Sequence, residues 1–132
     1  MSSNTIKILT IDDDHAVQSI IIAFLKRFLD EHHIDCEIKA FSDPIQGLFE
    51  LSSHGTEYRI ILLDVRLPKL TGDEIFNSLL YANPELVKYV VFVTGYPNDL
   101  INRFPDMDLN ILNKPFRYQS FCEKIAAILQ QK

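Results

Sequence analysis

The sequence predicts an α/β domain in which five strands alternate with helices to build a parallel sheet covered on both faces. Three observations predict it. The runs Ile60-Ile61-Leu62-Leu63 and Tyr89 to Val93 are continuous apolar stretches bounded by polar residues. Short runs without alternation read as strands buried on both faces. Between the strands, apolar residues recur at spacings of three and four, the helical period. Cap and turn signals such as Asp43-Pro44, Thr71-Gly72-Asp73-Glu74 and Asn83-Pro84 separate the two kinds of segment. Alternation of this kind implies parallel strands joined by helical crossovers.

Length and composition bound the rest. At 132 residues the chain suffices for one domain, 1–132, with a core over about 6–129. Apolar residues make up 47 % and charged residues 23 %, a balance that excludes disorder. The net charge of −5, with no basic cluster, argues against direct nucleic-acid binding, which needs a positive footprint. No apolar run approaches membrane-spanning length, and Met1-Ser2-Ser3-Asn4-Thr5 lacks a signal-peptide shape. A cytoplasmic protein without membrane association is the expectation. Cys36 and Cys122 form no metal or redox motif and lie among apolar neighbours, so buried structural thiols are expected.

In chain order, Ile6, Ile8, Leu9 and Ile11 form a first strand. Val17, Ile20, Ile21, Phe24, Leu25, Phe28 and Leu29 then keep the helical spacing, and Asp30-Glu31-His32-His33 closes that helix in polar residues. The pair His32-His33, together with His15 and His54, is not spaced for a shared metal. Cys36 to Phe41 reads as a second strand. Asp43 caps the next helix and Pro44 occupies its first turn. Ile45, Leu48, Phe49 and Leu51 are its expected apolar face; Gly47 weakens it and Ser53-His54-Gly55 ends it. The third strand ends at Asp64. Thr71 and Glu74 form a capping box opening a helix with Ile75, Phe76, Leu79 and Leu80, which Asn83-Pro84 terminates. A fourth strand runs from Tyr89 to Val93. Pro97 and Pro105 bracket a short helix with Leu100, Ile101 and Phe104 on its apolar side. Leu109 to Leu112 forms the last strand, and the final helix carries Phe121, Cys122, Ile125, Ile128 and Leu129.

The chemistry lies in the polar residues at the end of each strand. Asp12, Asp13 and Asp14 come after the first, Asp64 after the third, Thr94 after the fourth and Lys114 after the fifth. Parallel strands bring these groups to one edge of the sheet, where open α/β sheets bind ligands. Crowded carboxylates repel, at about 3 kcal/mol per pair for ~5 Å and an effective dielectric of 20. A hard divalent cation such as Mg²⁺ relieves that repulsion. Lys114 can hold a phosphoryl oxygen or balance a carboxylate, and Thr94 can donate to such an oxygen. An Asp carboxylate is a competent nucleophile toward phosphorus. Singly, each residue reads as a cap, a turn residue or a surface lysine; their joint placement at successive strand ends is the stronger observation.

With these residues in place, the chain resembles the receiver domain of two-component response regulators. The matching motifs are Leu9-Thr10-Ile11-Asp12-Asp13-Asp14, Leu63-Asp64-Val65-Arg66-Leu67-Pro68 with Gly72, Val93-Thr94-Gly95 and Lys114-Pro115-Phe116. The resemblance implies a flavodoxin-like (βα)5 fold, a three-layer sandwich with strand order 2-1-3-4-5. It implies that Asp64 accepts a phosphoryl group from a phosphohistidine of a sensor histidine kinase or histidine phosphotransfer protein. Asp12 and Asp13 match the acidic pair that holds Mg²⁺, with Asp13 the more direct ligand, and Asp64 completes the carboxylate set. Arg66 would offer its backbone carbonyl to the metal. Thr94 and Lys114 match the residues that contact the phosphoryl oxygens. Such a chain is a switch that modifies itself, not a metabolic enzyme. Its output passes to a downstream protein or a linked output domain, and a homodimer is compatible with it.

The sequence departs from the family pattern in three places. Ile111 stands where the family often has an aromatic residue, three before the lysine. The Gly-Ala pair that usually precedes the last strand is missing. The two prolines leave little room for a full fourth helix. Arg66 and Tyr96 are bulky residues beside the expected site, positioned to slow the access of water. Two other readings compete. A haloacid-dehalogenase-like phosphatase would use Asp12 as nucleophile, but no paired acidic motif comes after Lys114 and the chain is short for that fold. A degenerate receiver acting only as a binding module is opposed by the full set Asp12, Asp13, Asp64, Thr94 and Lys114.

Overall fold

Every strand of the sheet runs parallel to its neighbours. The strands are β1 (Ile6–Ile11), β2 (Cys36–Phe41), β3 (Tyr58–Asp64), β4 (Val90–Thr94) and β5 (Asn110–Asn113). They pair in the order β2-β1-β3-β4-β5. The helices are α1 (His15–Glu31), α2 (Pro44–His54), α3 (Gly72–Ala82), α4 (Pro97–Arg103) and α5 (Tyr118–Leu129). The structure is a computed structural model and describes residues 5–130; four of the five residues of the N-terminal stretch Met1 to Thr5, and the last two of the chain, lie outside it.

The strand order dictates which helix covers which face. The step from β1 to β2 runs one way along the sheet, and the steps from β2 through β5 run the other. With right-handed crossovers, α1 must then lie on one face and α2, α3 and α4 on the opposite face. The core divides accordingly. Ile8, Ile60, Leu62, Val91, Val93 and Leu112 pack with Ile21 and Leu25 of α1 and Phe121 and Ile125 of α5. Leu9, Ile11, Ile61, Leu63 and Phe92 pack with Leu51 of α2, Ile75, Phe76 and Leu79 of α3 and Leu100 of α4. Alternate residues of β3 thus feed opposite cores, which explains its unbroken apolar run. The direction reverses between β1 and β3, and a crevice opens there beyond the strand ends.

Local hydrogen bonds form as the sequence predicts. Asp14 accepts from the amides of Ala16 and Val17 at the start of α1, and Asp43 accepts from Ile45 at the start of α2. The Thr71–Glu74 capping box is complete in both directions. The prolines confine α4 to seven residues. Two segments differ from expectation. β3 begins at Tyr58, before the apolar run, and Pro84–Tyr89 forms a 3-10 helix ahead of β4.

The exposed apolar residues are a correction. Ile45 and Phe49, expected on the inner face of α2, are 53 % and 74 % exposed. The stripe that meets the sheet is instead Pro44, Gly47 and Leu51. Gly47 is there because the helix lies against Ile11, whose side chain a Cβ would strike. Ile20 and Ile101 are likewise half-exposed. Cys36 and Cys122 are partly rather than fully buried. Cys36 opens β2, an edge strand with a neighbour on one side only, and burial still raises its pKa.

The two kinds of phenylalanine make contrasting predictions. Phe92 is fully buried with its ring 5.0 Å from that of Phe76. Phe92→Ala is expected to cost about 3–5 kcal/mol by denaturant unfolding. Phe49→Ala is expected to change stability by no more than about 0.5 kcal/mol.

Candidate functional site

The crevice between β1 and β3 gathers the polar residues at the strand ends. Asp12 continues β1 by donating its amide to the Phe41 carbonyl of β2 at 3.1 Å. Its side chain is only 1 % exposed. Oδ1 accepts from the Asp14 amide at 2.9 Å, and Oδ2 lies 3.3 Å from Lys114 Nζ. Asp64 ends β3 and is also buried, with Oδ1 3.5 Å from the same Nζ. Asp13 is exposed, yet one ligand oxygen from each of Asp12, Asp13 and Asp64 fits within a 4.8 Å cluster.

Lys114 reaches this point because β5 aligns Asn113 with Thr94, and the Lys114 amide donates to the Thr94 carbonyl at 2.8 Å. Thr94 ends β4 beside Asp64, since Asp64 pairs with Val93. Its hydroxyl oxygen accepts from the Tyr96 amide at 2.9 Å. Gly72 closes the floor. Its amide donates to the Val65 carbonyl at 2.9 Å, and a Cβ would collide with the backbone carbonyl of Asp64. Only glycine lets α3 start that close to the strand end.

The electrostatics result from burial. Desolvation pushes the Asp64 pKa up to about 6, helped by the Asp12 charge and opposed by Lys114. Burial also raises that of Asp12, against the Asp14 amide and Lys114. One ammonium thus faces two buried carboxylates and a third close by. Such an oxygen-rich, negatively charged crevice suits a hard divalent cation.

Asp12, Asp13, Asp64 and Lys114 come together through their side chains, and Thr94 ends the adjacent strand beside them. The Arg66 side chain points elsewhere. Its guanidinium carbon lies 3.4 Å from the centre of the Tyr96 ring, and Nε donates to Asp99 of α4 at 3.1 Å. Sequence reasoning considered the bulk of Arg66 and Tyr96 but missed their union with Asp99. It also missed Gln18. This residue is buried on α1, accepts from the Thr10 hydroxyl at 2.8 Å and donates to the Phe41 carbonyl at 3.1 Å. Its position on the buried stripe of Ile21, Leu25 and Phe28 is a readable signal for such a role.

The fold and its carboxyl-edge cluster define a flavodoxin-like α/β domain with an acidic crevice at the switch point. The family model for the response regulator receiver domain matches residues 8–126, and the chain belongs to that family. It is 27 % identical over 128 residues to the transcriptional regulatory protein BtsR of Escherichia coli, covering 96 % of this chain and 49 % of that protein. The chain spans about half or less of the length of the curated relatives it matches. A receiver domain from Clostridium thermocellum has the same fold, with a TM-score of 0.78 at 22 % identity and 94 % of each chain covered. The receiver domain of a Pseudomonas aeruginosa sensor histidine kinase, solved with a magnesium ion coordinated in the active site cleft, superposes with a TM-score of 0.77. It is 19 % identical, over 96 % of this chain and 99 % of that one.

The raised pKa of Asp64 has a sign that can be measured. In the folded state Asp64 holds its proton up to about pH 6, whereas the unfolded carboxylate releases it near 3.8. Between these values the folded state binds more protons, so stability falls as pH rises through that window. Without added metal, Asp64→Asn is expected to be more stable than wild type at pH 7.5 by on the order of 1–3 kcal/mol. The gain is expected to vanish by about pH 4, as read by denaturant unfolding across that range.

Proposed function

We propose that this domain is a phosphorylation-driven switch that accepts a phosphoryl group on Asp64 from a phosphohistidine. The observation that carries the reading is the single ammonium of Lys114, shared between Asp12 and Asp64 with Asp13 beside them. Asp12, Asp13, Asp64 and the backbone carbonyl of Arg66 would hold Mg²⁺, which would supply positive charge against that of the transferring group and of the attacking carboxylate.

The chain's own groups do the rest. The ionised Asp64 carboxylate attacks phosphorus, an O–P bond forms and the N–P bond of the phosphohistidine breaks. The bonding pair returns to the imidazole nitrogen. With a pKa of about 6, Asp64 is mostly ionised at neutral pH. Lys114 Nζ holds a phosphoryl oxygen, and the Thr94 hydroxyl donates to another while its oxygen keeps the Tyr96 amide. Water later hydrolyses the acyl phosphate and restores the carboxylate. The domain acts on itself and is not a metabolic enzyme. Its donor is a sensor histidine kinase or histidine phosphotransfer protein, its output a downstream protein or linked domain, and its compartment the cytoplasm. The net charge of −5 opposes direct nucleic-acid binding by this domain.

Incubation with Mg²⁺ and phosphoramidate or acetyl phosphate, then mass mapping, tests this. Label is expected on Asp64 and is lost in Asp64→Asn. Lys114→Ala is expected to incorporate label about 100-fold more slowly. Rapid turnover through Asp12 would replace this reading with a phosphatase, and an absence of label would replace it with a binding module. Tyr96→Ala, which removes the ring beneath the Arg66 guanidinium, is expected to hydrolyse its acyl phosphate several-fold faster; an unchanged rate removes the shielding role.

A further inference from the structure

Two ion pairs join α4 to the segments after β3, and they run in opposite directions. Arg66, in the loop after β3, donates to Asp99 of α4 at 3.1 Å. Arg103 of α4 donates to Asp73 of α3 at 2.5 Å. Asp99 and Arg103 stand four residues apart on α4 and so share a face. The helix has only seven residues, too few to be stable alone. Leu100 and Phe104 anchor it in the core, and its N-cap Tyr96 makes no side-chain hydrogen bond to it. Its first turn is held by the Arg66–Asp99 pair and by the Asp99 amide, which donates to the Tyr96 carbonyl at 3.1 Å.

From its backbone position Arg66 has two places for an anion within side-chain reach: the Asp99 carboxylate that it holds here and Asp64. It lies two residues beyond Asp64, and its stacking partner Tyr96 lies two beyond Thr94, on adjacent strand ends. Two residues of chain span at most about 7 Å, within the reach of an arginine side chain. The guanidinium can therefore meet the Asp99 carboxylate or a group added to Asp64. Asp99 offers one charge, and its side chain is 40 % exposed, so this pair is weak and screened. A phosphoryl group offers nearly two charges and three acceptor oxygens, to which a guanidinium can donate twice. Asp73, the partner of Arg103, is more enclosed at 15 % exposed and holds its arginine more firmly.

We propose that Arg66 is a phosphoryl-responsive latch on α4. When Asp64 is modified, the guanidinium leaves Asp99 for the phosphoryl oxygens, and the first turn of α4 is released while Arg103 keeps the last turn in place. The latch rests on the phosphoryl-acceptor reading of Asp64. A phosphoryl group biases the helix because it competes for the cation that holds one end of it, which is the differential interaction any such shift requires.

Amide exchange measured by NMR on the whole chain tests the latch, without and with Mg²⁺ and phosphoramidate, with mass reporting modification of Asp64. In wild type, modification is expected to speed exchange of the Asp99 amide about two- to fivefold. The Phe104 amide, bonded to the Leu100 carbonyl at 2.8 Å, is expected to stay unchanged. Arg66→Ala is expected to start at the faster Asp99 rate and gain nothing on modification. Arg103→Ala is expected to speed exchange at Phe104 and keep the response at Asp99. If modified wild type shows no change at Asp99, or Arg66→Ala still responds, the latch is overturned and the acceptor reading stands; an unmodified Asp64 overturns both.

Discussion

Two buried carboxylates share one ammonium group, and the rest of the molecule is arranged around that deficit. Asp12 and Asp64 are 1 % and 7 % exposed, so water screens their repulsion poorly. Lys114 offsets part of it from 3.3 and 3.5 Å. The cluster nonetheless remains short of positive charge, which is why burial and Asp12 raise the pKa of Asp64 despite the lysine. A site in this condition favours whatever cation enters it, and it is sensitive to the charge carried by Asp64. The same imbalance that costs stability thus makes the crevice responsive.

Holding like charges together requires a rigid frame. The Phe41 carbonyl receives both the Asp12 amide and the Gln18 side chain, binding the end of β1 to α1 and β2. Gly72 brings the start of α3 onto the backbone of Asp64. These contacts join five elements and leave the carboxylates little freedom to separate. Asp13 and Arg66, by contrast, are exposed to solvent.

The sequence was most legible where the controlling interaction is local. Asp14, Asp43 and Thr71 cap helices through bonds spanning two or three residues, and their spacing shows it. The site was legible for a different reason: in a parallel sheet every strand delivers its carboxyl end to one edge, so order along the chain becomes proximity in space. Ile45 and Phe49 fit the helical period and still face outward. Periodicity identifies an apolar stripe, but fit against Ile11 decides which stripe the sheet accepts. The Arg66–Asp99 pair spans 33 residues, and nothing local announces it. Gln18 was readable in principle, as a polar residue in register with Ile21 and Leu25.

The contact between Lys114 and Asp12 joins residues 102 positions apart, across almost the whole described chain. Asp12 comes directly after the first strand and its partner Lys114 directly after the last. Every strand pairing is parallel, so none can form through a short hairpin. This is a high-contact-order arrangement, in which loop closure must precede its electrostatic reward. A chain emerging from its N-terminus exposes Asp12, Asp13 and Asp64 well before Lys114 exists to meet them. Lys114 can balance the site only once β5 has joined the sheet, so an intact crevice reports that this closure has occurred.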